Sequence, residues 1–206
     1  MKYLRTFEES RLTKFIHKVK KAKKYATDAH AGVFRRGKDE DGNKIPYIIH
    51  PDTVAKIVHD VKDSEYIAHL IAAAYLHDVV EDVEGISVED IRKEFGDIVA
   101  GLVGELTTDL EKMKISGKEE YLIDKMLNMS SWALVIKMAD RLHNLSDFKQ
   151  IMASDDKKRQ KWAKGYAKQT MNIINEVEWY RDLSDTQTRL VKKIKKRLNH
   201  VLKNED

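Results

Sequence analysis

Ala72-Ala-Ala-Tyr-Leu-His77-Asp78-Val-Val-Glu81-Asp82 decides the reading of this chain. An apolar run ends in two adjacent side chains that both ligate metals. Burying histidine and aspartate together is costly unless each is paired or bound to a cation. Glu81 follows His77 by one helical step of four, and Asp82 follows Asp78 by the same step. A helix through this stretch predicts all four on one patch, two fit to hold a cation and two fit to handle a proton. The pattern points to metal-dependent hydrolysis.

Working outward, nearly everything else reads helical. The chain has 206 residues and only two prolines, Pro46 and Pro51. Phe15, Val19, Ala22 and Ala26 recur at steps of three and four and predict a helix over 11–30. Further helices are predicted over 52–61 with Asp52 as N-cap, and from an Asp63 or Ser64 cap to His77. Ser87-Val-Glu-Asp90 reads as a capping box, with Gly96 ending that helix. Asp97 is expected to cap the next, with Ile98, Leu102 and Leu106 as its stripe. Others follow near 119–129, 131–148, 157–181 and 185–203. Asp41-Gly-Asn-Lys44 is the one good hairpin turn. The expected architecture is all-α with a small β-hairpin near 34–47. The whole of 1–206 is expected to form a single domain, with its motif core at about 20–150 and a helical extension at about 155–206.

Composition sets limits. Hydrophobic residues make up 42% and charged residues 35%, as in a soluble globular protein with a charged surface. There is no cysteine, which excludes disulfides and thiolate metal sites and fits a reducing compartment. No apolar run approaches the roughly 20 residues that span a bilayer. The first ten residues lack the apolar core of a signal peptide, so a cytoplasmic setting without a membrane partner is expected. The net charge is +4, with Lys and Arg crowding 11–24, 35–44 and 189–203. The first and last runs read as solvated helix faces. No zinc finger or aromatic RNA-binding motif argues for nucleic acid, and a nucleic-acid partner is not expected. The oligomeric state is left open.

Three segments complete the constellation. In Tyr47-Ile-Ile-His50-Pro51, the proline is expected to hold His50 extended at a loop-to-helix junction, a good place for an imidazole ligand. In Val135-Ile-Lys-Met-Ala-Asp140-Arg-Leu-His-Asn144-Leu145, the apolar stripe is Val135, Met138, Ala139, Leu142 and Leu145. Asp140 borders that stripe and could ligate a metal or simply pair with Arg141 or a lysine. In Ala29-His30-Ala-Gly-Val-Phe-Arg35-Arg36-Gly-Lys38, the cations suit phosphate. Two histidines and two aspartates suit a divalent transition ion such as manganese better than magnesium. Metal-bound water ionises readily, and Glu81 or Asp82 could orient it or take its proton. Arg35, Arg36 and Lys38 could neutralise phosphate oxygens.

The order His50-Pro51, His77-Asp78, Glu81-Asp82, Asp140 resembles the HD phosphohydrolase superfamily. The longer strings resemble more closely the hydrolase domain of the RelA/SpoT family of alarmone enzymes. These are Ala29-His30, Arg35-Arg36-Gly-Lys38 before Pro46-Tyr-Ile-Ile-His50-Pro51, Leu76-His77-Asp78-Val-Val-Glu81-Asp82, and Lys137-Met-Ala-Asp140-Arg-Leu-His-Asn144. The resemblance covers about 20–150. It implies an HD-type helical bundle, one Mn2+ held by His50, His77, Asp78 and Asp140, and Glu81 with Asp82 as the catalytic acidic pair. It implies a nucleotide substrate, guanosine tetra- or pentaphosphate, losing its 3′-pyrophosphate to give GDP or GTP. Arg35, Arg36 and Lys38 match the basic loop that meets the nucleotide, and Asn144 matches a nucleotide-contacting position. The loop is longer than in many bifunctional members and resembles that of the stand-alone hydrolases. His30 matches a recurrent position and is read as structural. No synthetase motif follows Asn144, so hydrolysis alone is expected. Two other readings remain: an HD phosphohydrolase for another phosphorylated nucleotide or cofactor, and a non-catalytic nucleotide-binding regulator. Trp162, Tyr166, Trp179 and Tyr180 are read as core or helix-packing aromatics, with a base-pocket role for Tyr166 as the alternative.

Overall fold

The structure, a computed structural model, describes residues 2–39, 41–62 and 64–202, with side chains from residue 12 onward. The chain forms two compact units, residues 1–107 and 108–206. Among the described residues no helix is long and apolar enough to cross a membrane.

In the first unit, α1 (Lys2–Ala29) leads into β1 (Phe34–Lys38) and β2 (Lys44–Pro46). These strands pair antiparallel, Phe34 opposite Pro46 and Lys38 opposite Lys44. Asp39 Oδ1 accepts the amides of Asp41 and Asn43 at 3.1 and 2.7 Å, and Gly42 takes φ +83° to close the turn. The hairpin expected from the sequence is present. Next come α2 (Ile49–Val61), α3 (Ile67–Leu76), α4 (Val79–Asp82), α5 (Val88–Phe95) and α6 (Asp97–Leu106). Leu70 to Leu76 are all buried, so α3 is apolar all round and sits at the centre, against α1, α2 and α6. Ala72, Ala73 and Ala74 carry almost no side-chain volume where these helices approach.

Several expected boundaries move. The α2 helix starts before His50, so His50 is helical and buried rather than extended. Pro51 is accommodated because first-turn amides have no acceptor within the helix. Asp52 therefore does not cap; its carboxylate meets Lys23 Nζ at 2.5 Å and accepts the Tyr75 hydroxyl at 2.6 Å. Asp63 lies outside the described residues. Ser64 accepts the Tyr66 amide at 3.2 Å, while Tyr66 itself occupies the α3 N-cap. The Ser87–Asp90 capping box forms, and Gly96 ends α5. Asp97 is the first helical residue of α6 and pairs with Arg92 at 3.1 Å instead of capping. Ile98 is exposed; Val99, Leu102, Val103 and Leu106 form the buried stripe.

The second unit holds α7 (Leu110–Ser116), α8 (Lys118–Asn128), α9 (Ser131–Asn144), α10 (Phe148–Ala153), α11 (Lys157–Tyr180) and α12 (Asp185–Leu202). The α7 turn has no counterpart among the expected helices; Asp109 caps it by accepting the amides of Glu111 and Lys112. The predicted 131–148 helix ends at Asn144, and α10 begins after a turn. Helix α9 packs on α12, and α11 packs on α8, α10 and α12. Arg181 donates to the carbonyls of Met126 and Met129, both at 2.8 Å, closing the orphan end of α8. Gln187 donates to the Ser131 carbonyl and hydroxyl at 3.0 Å, tying the start of α12 to that of α9.

Chemical denaturation should rank two substitutions. Ser87→Ala removes an N-cap and should cost about 1 kcal/mol. Leu70→Ala opens a cavity beside α3 and should cost about 2–5 kcal/mol. Equal midpoints would contradict the central place of α3.

Candidate active site

The first unit brings together three of the expected ligands. Helix α3 stops at Leu76, and Asp78 takes φ −102° and ψ −9° before α4 begins. Adjacent residues on a continuous helix do not face one another. At this interruption they do: His77 Nε2 lies 3.0 Å from Asp78 Oδ2. His50, in the first turn of α2, brings its Nε2 to 3.2 Å from His77 Nε2 and 3.4 Å from Asp78 Oδ2. Both imidazoles are buried. The single helical patch expected for His77, Asp78, Glu81 and Asp82 is thus replaced by a break with α4 beyond it.

The donor set fits a divalent cation. His77 Nδ1 donates to the Ala74 carbonyl at 2.8 Å, which leaves Nε2 with its lone pair toward His50 and Asp78. Cis donors about 2.1 Å from a metal lie about 3.0 Å apart. The spacings of 3.0, 3.2 and 3.4 Å are close to that value. Among the described residues, this His50, His77 and Asp78 group gathers metal-ligating atoms within 4.8 Å of one another. Burial alone would raise the Asp78 pKa, but His77 and His50 hold the carboxyl well below the usual carboxylate range.

Tyr47 supports the group and was not among the expected site residues. Its hydroxyl donates to Asp78 Oδ2 at 2.6 Å. Burial, then the charge of Asp78, raises the phenol pKa far above its ordinary value, so the proton stays. The Tyr47 amide donates to the Val33 carbonyl at 2.9 Å, which fixes the ring at the foot of the hairpin. His30 stacks on that ring, centroids 4.6 Å apart. His30 Nδ1 donates to the Ala26 carbonyl at 3.0 Å, and Nε2 lies 3.7 Å from Asp82 Oδ2, an ion-pair distance too long for a hydrogen bond. Burial opposes protonation of His30, yet Asp82, the Ala26 carbonyl and Asp78 together raise its pKa. The only sequence signal for Tyr47 is its place one helical turn before His50.

The acidic pair sits on α4. Both Glu81 and Asp82 are exposed, and neither joins the group of ligating atoms. On β1, exposure alternates: Arg36 and Lys38 are exposed and Arg35 is half-buried. The three cations therefore do not share one face. A groove of about 1040 Å3 between α1, the start of α3 and the end of α5 is lined by Phe15, Lys18, His69 and Phe95 among others, and by none of the expected site residues.

In the second unit, Asp140 is buried on α9. Lys137 Nζ lies 3.3 Å from its Oδ2, and Asn144 donates to its Oδ1 at 2.7 Å. The lysine pairing allowed by the sequence is therefore made, through Lys137; Arg141 instead donates to Thr170 Oγ1 at 2.8 Å and lies over the Tyr166 ring. Burial raises the Tyr166 pKa, Asp140 adding to it against Arg141. Trp162 and Tyr166 pack with Phe148, centroids 5.5 Å away. Trp179 and Tyr180 do not pack as expected: they follow Val177, the last buried position of α11, and are exposed.

Residues 22–176 match the family model described as HD domain, and the chain belongs to that family. A probable guanosine-3′,5′-bis(diphosphate) 3′-pyrophosphohydrolase of Synechocystis is 38% identical over 59% of this chain and 15% of its own length. The mouse protein MESH1, a guanosine-3′,5′-bis(diphosphate) 3′-pyrophosphohydrolase, is 35% identical over 58% of this chain and 64% of its own. The chain thus spans less than two thirds of these relatives. A solved structure described as a metazoan ortholog of SpoT that hydrolyses ppGpp superposes with a TM-score of 0.64 at 28% identity, covering 87% of this chain and 95% of that one. A Listeria monocytogenes protein at 24% identity shares the fold, with a TM-score of 0.60 over 75% of this chain and 99% of its own.

Tyr47→Phe removes the hydroxyl that positions Asp78 while keeping the ring under His30. Calorimetric titration with Mn2+ should show affinity lowered by about 10- to 100-fold with helicity unchanged. Unaltered affinity would show that the hydroxyl does not orient the ligand.

Proposed function

We propose that this chain is a manganese-dependent 3′-pyrophosphohydrolase of guanosine tetra- and pentaphosphate. The observation that carries the reading is the convergence of His50 Nε2, His77 Nε2 and Asp78 Oδ2, in a family whose similar members include proteins named for this reaction. When bound there, a divalent ion supplies Lewis acidity and lowers the pKa of water. Mixed imidazole and carboxylate donors favour manganese over magnesium. The motif Lys137-Met-Ala-Asp140, rather than geometry, supports Asp140 as a further ligand. The continuous family match over 22–176 supports a single functional HD-type domain.

The protein's own groups have distinct tasks in this scheme. Asp78 stays ionised and fixed by Tyr47, so its charge is available to the cation. Glu81 or Asp82 takes the proton of the attacking water, and the carboxylic acid so formed returns a proton to the leaving 3′-oxygen. His30 lies beside Asp82 and can stabilise its charge. The water oxygen bonds to the proximal phosphorus of the 3′-pyrophosphate, the bond from that phosphorus to the 3′-oxygen breaks, and the 3′-oxygen gains a proton. Arg36 and Lys38, exposed on β1, neutralise phosphate oxygens, with Arg35 supporting the loop. Asn144 contacts the nucleotide.

Incubation with guanosine tetraphosphate and Mn2+, with products separated by anion exchange, tests this. Wild type should give GDP and pyrophosphate. Asp78→Ala should lose bound metal and activity together, whereas Glu81→Gln should keep the metal and lose roughly 10^2- to 10^4-fold in turnover. Arg36→Ala should raise KM with kcat little changed. Full activity in Glu81→Gln would reassign the acidic pair. No turnover with metal bound would overturn the substrate and point to another phosphorylated nucleotide.

A further inference from the structure

The last basic run reads in the sequence as a solvated helix face; in the structure it forms a stripe on a helix whose packing neighbour, α11, ends in exposed aromatic rings. Arg189, Lys192, Lys193, Lys196, Arg197 and His200 follow the spacing i, i+3, i+4, i+7, i+8, i+11 on α12. That spacing puts them on one helix face over about 16 Å. All six are exposed. The opposite face carries Leu190, Val191, Ile194, Leu198 and Val201, all buried in the second unit. After Asp185 the helix holds no acidic residue through Leu202. Among the described residues, Lys192, Lys193, Lys196 and Arg197 make no ion pair, while Lys195, on the flank of the stripe, pairs with Glu178.

That ion pair joins α12 to the helix end that carries the aromatics. Glu178 lies on the last turn of α11, immediately before Trp179 and Tyr180. Its link to Lys195 brings the end of α11 beside the middle of the stripe. Trp179 is 82% exposed and Tyr180 68% exposed. Across 157–202 there are thirteen Lys and Arg against four Asp and Glu; those four, Glu176, Glu178, Asp182 and Asp185, flank the rings, so the positive field is that of the α12 stripe.

We propose that α12 and the Trp179–Tyr180 corner form a binding surface for single-stranded nucleic acid, RNA in the first instance. A row of cations that tracks a phosphate backbone, next to rings on which bases stack, is the chemistry of sequence-tolerant single-strand recognition. Duplex would use the cations alone, since its bases are already stacked. An anionic membrane fits less well, because the apolar face of α12 is consumed by the core and only the Trp179–Tyr180 corner is left to insert. The surface shares no residue with the expected hydrolytic site.

The test is fluorescence anisotropy with a labelled single-stranded RNA of mixed sequence, the matching duplex, and vesicles of phosphatidylserine and phosphatidylcholine, over a range of salt. Wild type should prefer the single strand. The combined variant Lys192→Glu, Lys193→Glu, Lys196→Glu, Arg197→Glu should weaken binding and flatten the slope of log affinity against log salt by roughly 0.7 for each phosphate no longer neutralised. Trp179→Ala with Tyr180→Ala should lower single-strand affinity about 10-fold or more while leaving the salt slope unchanged. Circular dichroism and basal hydrolysis should match wild type in both variants. Three results would overturn the proposal: single-strand binding indifferent to the aromatic variant, duplex bound as tightly as the single strand, or vesicles bound in preference to RNA.

Discussion

The interruption between α3 and α4 is the constraint on which the candidate site depends. A helix running through His77 and Asp78 would turn these neighbours about 100° apart. The break lets them face a common point, where His77 Nε2 and Asp78 Oδ2 are 3.0 Å apart. Everything near it serves that geometry. The Ala74 carbonyl sets the His77 tautomer from the last turn of α3. Tyr47 anchors the carboxylate from the foot of the hairpin. His50 arrives from the first turn of α2, where Pro51 costs no hydrogen bond. Leu76, the last residue of α3, is fully enclosed and anchors the start of the break.

Polar groups in this unit are held by different devices according to their burial. Asp78 is kept ionised by two imidazoles and a phenol, against the burial that would otherwise protonate it. Asp82 remains open to water on one side and faces His30 on the other. The two carboxylates, four residues apart, therefore have opposite environments. This separation of a fixed anion from an accessible one suits a division between holding a cation and moving a proton. In the second unit, Asp140 is surrounded in turn by Lys137 and Asn144, both on its own helix.

The all-α class, the hairpin and the Ser87 capping box were legible because each rests on short-range pattern: helical periodicity, a glycine turn, a cap three residues from its partner. His50, His77 and Asp78 were legible as ligand types, but not the way they meet. Spacing on an assumed continuous helix does not reveal the interruption at His77 and Asp78. Asp52 and Asp97 look like N-caps by residue type, yet their carboxylates are engaged by Lys23 and Arg92. Tyr47 is not legible as a site residue, because a tyrosine inside an apolar string is distinguished only where its hydroxyl meets Asp78. Trp179 and Tyr180 resemble packing residues at helical spacing; only the end of the α11 core at Val177 leaves them outside.

The central claim is that the α3–α4 break builds a metal centre from His50, His77 and Asp78. Electron paramagnetic resonance of free Mn2+ during titration with protein measures it directly. The account predicts loss of the free-ion signal to about one ion per chain, and its return in His77→Ala with helicity retained. Unchanged binding in His77→Ala, or no binding by the wild type, would contradict it.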